Sequence, residues 1–564
     1  MDRRFIICSL LACIFVACSS QVVPGTETGE SGEPDLTGTV NGTRIRDGNN
    51  VYGTILDTDG KPIPYIPVSD GIRFSATDLN GVYQFKASPS AAFVFYSLPS
   101  GYAIAQDGGT HLPAFYQRID PSADNRSDFT LRKLTGTTTA FSFAVLGDIH
   151  IRDAATAAKF TDSAIRQIGA YFRDNGAAGP VFGVSLGDII NNPKDPDTYG
   201  MAQKALGSAE YATGQYLPFF TVIGNHDHDS RMGDAAKAGT HGYDRGTERR
   251  FGEAFGPTCY SFNIGAVHFV ALDNYISMKG PTGSNTALAS QAETGLTDEI
   301  YDWLLKDLAC VQDRASKMVV VLQHCHVRGF TGIPHRDDLL SKLSEFHSAY
   351  IFSGHAHICE SYKYQVLAQG GKPVVERIHG VPMGNFWYSR YNPDGSSAGY
   401  YIYKVSGNDF AGWEYRPLHD PDEQMRVYDS RDVYDKESDW SRQYIWTGES
   451  LFADGNYVLA HIYHGDEDWE VSFEQGGKSR KMTFANKRIY DYCVNCHLAN
   501  DKVTGIRTSW KYHWDRSENW WYLKLDQPLT SLTGWKVVAK AKYPLSGETR
   551  TYTCDVLTRS LTEE

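Results

Sequence analysis

At 564 residues the chain is too long for one hydrophobic core, so several domains are expected. Its 41% hydrophobic and 21% charged residues suit a globular protein, and past the first twenty residues no apolar run is long enough to span a bilayer. A formal net charge of -13 leaves no basic excess to release counterions from a phosphate backbone, which argues against a nucleic-acid binder. A small anionic substrate stays open if metal supplies the local positive charge.

The amino terminus reads as an export signal: Arg3 and Arg4, an apolar stretch from Phe5 to Val16, then small residues at Ala17, Ser19 and Ser20. Phe15-Val16-Ala17-Cys18 resembles a bacterial lipobox, with Phe15 where Leu is usual. That resemblance implies removal of residues 1–17 as a signal peptide and acylation of Cys18. The expected product is a membrane-anchored lipoprotein in the periplasm or on an outer-membrane surface, held without a span. Ordinary signal cleavage and an uncleaved anchor are the alternatives. Residues 18–49, rich in Gly, Thr, Ser, Glu and Pro, read as a flexible tether. Three of the ten cysteines lie in this leader, and the other seven, at 259, 310, 325, 359, 493, 496 and 554, cannot all pair.

From residue 50 to 134 short alternating stretches such as Val51-Tyr52-Gly53-Thr54-Ile55 are separated by turn signals such as Asp59-Gly60 and Asn80-Gly81, which predicts an N-terminal β-sandwich. Residues 135–418 change character. Apolar runs at Phe141–Leu146, Val181–Leu186, Phe219–Ile223, Val267–Leu272, Met318–Gln323 and Ala349–Ser353 predict buried strands. Phe160, Ala164, Ile168 and Phe172 recur four apart and stop at Gly176, while Ile300, Trp303, Leu304 and Leu308 follow a Thr297 cap. Strands alternating with helices imply an α/β core. Over 419–564 aromatic β-rich stretches such as Tyr457–Tyr463 take over, predicting a C-terminal β-rich domain, read as a further sandwich.

Five of the six central runs end in a polar cluster: Gly147-Asp148-Ile149-His150, Gly187-Asp188, Gly224-Asn225-His226-Asp227, His324-Cys325-His326 and Gly354-His355-Ala356-His357. One Gly-Asp after a strand is usually a turn or a helix cap. Five clusters in series, each at a strand end, are not, because loops at the carboxyl ends of strands in an open α/β sheet converge on one crevice. Carboxylate, imidazole and carboxamide suit two divalent ions such as Mn, Fe or Zn. A structural zinc site would want cysteine.

This ordered series, DxH, GD, GNHD, a strand-ending His and GHxH, resembles the calcineurin-like metallophosphoesterase family, in its bacterial branch with β domains on both sides. The resemblance implies a pair of packed mixed sheets flanked by helices and hydrolysis of phosphomonoesters or phosphodiesters by two metal ions. It implies Asp148, His150 and His357 for the first ion, Asn225, His324 and His355 for the second, and Asp188 between them. His324 is preferred over His326 because it directly follows the apolar strand. His226 becomes the general acid for the leaving group, with Asp227 to orient or charge-stabilise it. Arg152, Asp153, His241, Asp273, Arg328, His379 and the stretch Asn385-Phe386-Trp387-Tyr388 can approach a substrate, and none is singled out. Cys325 and Cys359, close to the ligands, read as a local disulfide or inert thiols.

Two other readings compete. Cys493-Val494-Asn495-Cys496-His497 matches the attachment sequence of c-type haem, yet the surrounding sequence is β-rich where such domains are helical. A non-catalytic surface-binding lipoprotein would be expected to have lost Asp188, Asn225 or His226, and all three are present.

Overall fold

The computed structural model describes residues 38–559 except 137, 177–178, 279–291, 329–332, 367–370, 432–454, 499–514 and 545–549. The signal peptide, Cys18 and the tether as far as residue 37 lie outside the described residues. Among the described residues no helix is long and apolar enough to cross a membrane.

Each apolar run of the central region forms a strand within one or two residues of its expected ends, because a side chain buried on both faces of a sheet has to be apolar at every position. Ala140–Leu146 pairs in parallel with Val181–Ser185, which pairs in parallel with Phe219–Thr221. On its other edge Ala140–Leu146 takes the antiparallel hairpin Gly399–Ser406 and Asp409–Pro417, completing a five-stranded mixed sheet. A second sheet of six runs Tyr260–Ile264, Val267–Ala271, Met318–Leu322, Ser348–Ser353, Val374–Ile378, Glu360–Tyr364, with its four inner strands parallel.

Period-two alternation along Ala140–Leu146 separates the two cores. Phe141, Phe143 and Val145 face the second sheet, while Ala144 and Leu146 face the helices. Between the sheets the Phe143 ring stacks on Phe182 at 4.9 Å and meets Phe269 edge-on at 5.5 Å. On the helix side Phe160, Ala164, Ile168 and Phe172 pack in the same cluster as Leu146. Their helical run extends over 154–175, with a π-helical stretch at Thr161–Ile165. Thr297 caps Asp298–Ala309 by accepting from the Ile300 N–H.

The flanking regions are β-rich. Before the central domain lie a sheet built on Val51–Asp57 and another built on Pro67–Ser69 and Phe93–Tyr96. After it lie two four-stranded sheets, one centred on Asn456–Ile462 and Trp520–Leu525, the other on Glu470–Gln475 and Trp535–Lys540. The C-terminal sheets also meet the central domain: buried Asn519 donates to the carbonyls of Cys359 and Tyr463.

Candidate dinuclear metal centre

The parallel strands all run in one direction, so the loops after Leu146, Ser185, Thr221, Leu322 and Ser353 open on the same crevice, as strand-end logic requires. Two of these turns need glycine. Gly187 has φ 92°, and a β-carbon there would lie 2.6 Å from His324 Nδ1; at Gly354 one would lie 2.5 Å from Asp148 Oδ2. Four of the candidate ligands adopt the left-handed region themselves: His150 (φ 50°), Asp188 (φ 47°), His355 (φ 66°) and His357 (φ 58°). Such a backbone costs on the order of 1–3 kcal/mol per residue and persists where the surroundings over-determine it, a condition met at functional sites.

Two groups of ligand atoms result. Asp148, His150, Asp188 and His357 form one, with His357 Nε2 at 3.2 Å from Asp148 Oδ1, His150 Nε2 at 3.5 Å from Asp188 Oδ2, and the two imidazole Nε2 atoms 3.3 Å apart. The second brings His324 Nε2 and His355 Nδ1 each to 2.9 Å from Asn225 Oδ1 and to 3.2 Å from each other. Asp188 reaches both: Oδ2 faces His150, while Oδ1 lies 3.4 Å from His324 Nε2.

These donors fit a pair of divalent cations. His324 Nδ1 faces the Leu186 carbonyl at 2.8 Å, and a carbonyl only accepts, so Nδ1 carries the proton and Nε2 presents a lone pair. That lone pair points into a space shared with the Asn225 amide oxygen and the Asp188 carboxylate, all acceptors. Only a cation, or protons taken up in its place, relieves such a convergence. Burial alone would lower the His324 pKa, but the Asp188 and Asp148 carboxylates raise it to about 9, whereas burial and the His324 charge push His355 down to about 4.

His324, not His326, enters the cluster. The His326 ring centroid lies 6.1 Å from that of His355, and burial pushes its pKa down to about 3. Cys325 Sγ sits within 4.8 Å of the His324 and His355 nitrogens, but burial raises its thiol well above the ordinary value, so it stays a thiol; burial likewise pushes Cys359 up to about 12. Buried Cys259, Cys325 and Cys359 form no disulfide, which leaves the inert-thiol alternative.

His226 stands beside the first group, its ring 4.6 Å from His150 and nearly perpendicular to it. Its backbone N–H donates to Asp188 Oδ1 at 2.7 Å, and its Nδ1–H donates to the Asn191 carbonyl at 2.7 Å. The expectation that Asp227 orients this ring is corrected. Asp227 is fully buried and its carboxylate accepts the N–H groups of Gly224, Ile189 and Ile190, tying the Asp188 loop to the Asn225 loop. Burial, with the Asp188 charge next to it, pushes its carboxyl up to about 7.

The other candidates separate by contact. Asp153 caps the Ala154–Phe160 helix. Arg328 pairs with Glu360 and Glu518, His241 faces Glu293 on the surface, and buried His379 bonds the Tyr403 hydroxyl and the Ser353 carbonyl. Of residues 385–388, Phe386 reaches the ligand groups, its ring 5.2 Å from His150 and 5.3 Å from His357, while Arg152 lies over the Tyr388 ring.

Three supporting residues had no signal in spacing. His228 faces the Gly224 carbonyl through Nδ1 and Asp273 through Nε2 at 3.1 Å, with Asp244 behind. Asn274 accepts from the His324 and Cys325 N–H groups and donates to the Cys325 carbonyl. Asn191 acts through its backbone, which no side-chain pattern records. The motif at Cys493 to His497 falls on a short helix, Tyr492–Leu498, where the His497 ring packs edge-on against Tyr391 at 5.3 Å.

Three family models match in chain order: N terminal of Calcineurin-like phosphoesterase at residues 49–134, Calcineurin-like phosphoesterase at 141–359, and C terminal of Calcineurin-like phosphoesterase at 376–538. No curated protein matches the chain. Among solved structures, the chain is similar to the purple acid phosphatase PPD1 of yellow lupin (Lupinus luteus) seeds at 14% identity, covering 64% of this chain and 67% of that one, with a TM-score of 0.34. Zinc-complexed Vps29 of Entamoeba histolytica matches at 12% identity over 50% of this chain and 93% of that one, TM-score 0.21. The calcineurin-like phosphoesterase YfkN of Bacillus subtilis matches at 13% over 49% and 90%, TM-score 0.23. The assignment of the chain rests on the three family models.

Proposed function

Because this chain belongs to the calcineurin-like phosphoesterase family and is a metal-dependent phosphoester hydrolase, we propose that it works outside the cytoplasm as a lipid-anchored enzyme on small phosphomonoesters or phosphodiesters. The observation that carries the catalytic reading is Asp188, whose two carboxylate oxygens face two separate groups of imidazole nitrogens. A pair of divalent ions bound there supplies an activated water and a charge clamp for the phosphoryl oxygens.

The chain itself does the rest. Asp148, His150 and His357 would hold one ion and Asn225, His324 and His355 the other, with Asp188 placed to serve both. The Asn191 carbonyl fixes His226 so that Nε2 is the nitrogen left to meet the substrate. As the P–O bond to the leaving group breaks, that imidazolium gives its Nε2 proton to the departing oxygen and ends neutral. No protein nucleophile is required, since water attacks phosphorus.

Support for export comes from the charged, apolar and small-residue order of residues 3–20 and from Cys18 behind Ala17. Metal content of the purified body from Ser19 onward, measured with hydrolysis of p-nitrophenyl phosphate and bis-p-nitrophenyl phosphate after Mn addition, tests the catalytic part. Near two metals per chain with turnover of either ester supports it and ranks monoester against diester; well-folded, Mn-supplied protein with neither refutes it. For the anchor, full-length protein expressed in a Gram-negative bacterium should stay in the membrane fraction and Cys18→Ser should leave it. Equal partition of both would refute lipidation.

A further inference from the structure

Residues 385–388 combine three features that the hydrolytic machinery does not use. First, Phe386 and Trp387 are consecutive aromatic residues in the left-handed region, at φ 49° and 64°. For bulky side chains that is a strained backbone, and strain of this kind collects where a site needs a particular shape. Second, the strain is held by a local set of bonds. Asn385 N–H donates to the Ser389 carbonyl, Trp387 N–H to Met383, and Tyr388 N–H to Asn385, while the indole Nε1–H of Trp387 reaches the carbonyl of Ile149, between Asp148 and His150, at 2.9 Å. Lys159 Nζ adds a bond to the Trp387 carbonyl, and the indole packs on Phe160. The loop is thereby fastened to the metal-bearing loop itself.

Third, this fastening presents aromatic surface outward from the site. Phe386 meets the rings of His150 and His357, and His150 is also the ring that His226 packs against, so Phe386 and His226 both border the same ligand ring. Farther out, Tyr388 keeps 46% of its surface exposed, one of few large apolar side chains to do so among the described residues. The Arg152 guanidinium lies 4.7 Å over its ring, fixing the ring plane from one side.

We propose that Phe386, Tyr388 and Arg152 form a specificity rim that selects phosphate esters whose leaving group carries a flat, unsaturated ring, with Tyr388 as the stacking surface. A ring stacked on Tyr388 would extend the aromatic surface that Phe386 presents beside His150 and His357. Small aliphatic leaving groups gain none of this contact. The inference rests on the phosphoesterase reading above and adds the class of leaving group.

The test uses the metal-loaded enzyme with paired phenyl and ethyl esters, as phosphomonoesters and as methyl diesters. Tyr388→Ala should lower the phenyl-to-ethyl ratio of kcat/KM by roughly three- to tenfold, the effect expected from losing one aromatic stacking partner, mainly through KM, and Tyr388→Phe should restore it. An unchanged ratio in Tyr388→Ala overturns the rim, as does an equal fall for both esters. The affinities of phenylphosphonate and ethylphosphonate, measured by calorimetry on the same proteins, keep the two readings apart. If the wild type turns over no ester, the phosphoesterase reading fails by itself. Loss of the phenyl preference in Tyr388→Ala binding would then still support the rim, and an unchanged preference would overturn it.

Discussion

The His226 imidazole donates its Nδ1–H to the backbone carbonyl of Asn191 at 2.7 Å, a contact that engages Nδ1 and leaves Nε2 as the nitrogen available for proton transfer. If His226 serves as general acid, its removal matters in proportion to how badly the leaving oxygen needs a proton. His226→Ala should slow alkyl esters by about 10²–10⁴-fold and p-nitrophenyl esters at least about tenfold less. Steady-state rates on the two ester types decide it, and equal slowing would remove the role.

Asp188 spans both ligand groups, so its loss should disturb both. Asp188→Asn keeps the volume and gives up one acceptor oxygen. We expect metal affinity to fall by more than the roughly 10–100-fold seen on losing an outer-shell partner, with activity following. Elemental analysis of protein that retains its circular dichroism spectrum reads this out. Two retained metals and most of the activity would sink the bridging assignment.

His228 ties the Asn225 loop to the second sheet. Burial would lower its pKa, but Asp273 at 3.1 Å, with Asp244 behind, raises it from 6.5 to about 10. The folded state therefore binds a proton that the unfolded chain releases above pH 6.5, so this stabilisation is complete below 6.5 and is lost as pH rises toward about 10. The melting temperature of wild type should exceed that of His228→Asn most near pH 6.5, by the equivalent of a few kcal/mol, and the gap should close toward pH 10. A gap that widens with pH would contradict the ion pair.

Asp227 accepts three buried backbone N–H groups from two different loops. Asp227→Ala leaves all three without a partner. Urea denaturation should show a loss of about 3 kcal/mol, since an unsatisfied buried donor costs about 1–3 kcal/mol and the loops can relax in part. A loss below about 0.5 kcal/mol would mean that water replaces the carboxylate freely.

Much of the frame was legible because it is local. The run Phe141–Leu146 had to be a buried strand, and it is one from Ala140 to Leu146; Thr297 had to cap a helix, and its side chain does so. Strand-end clusters were legible for a related reason: parallel strands deliver their carboxyl ends to one edge of the sheet, so Asp148, Asp188, Asn225, His324 and His355 needed no contact information to be grouped. The hairpin Gly399–Ser406 and Asp409–Pro417 was not anticipated as part of the first sheet, because nothing in its own alternation says which strand it pairs with.

By itself, then, the sequence determined where the central strands fall along the chain, which polar side chains stand at their ends and the chemistry those types suit, since residue type and periodicity are properties of short segments. Tertiary structure alone decided which partner each group found. It gave the orientation of His226 to Asn191 rather than Asp227, and set His228 against Asp273 and Phe386 against His150. Those choices follow from how two sheets and their loops pack across tens to hundreds of residues of chain, and spacing in the sequence carries no record of that distance.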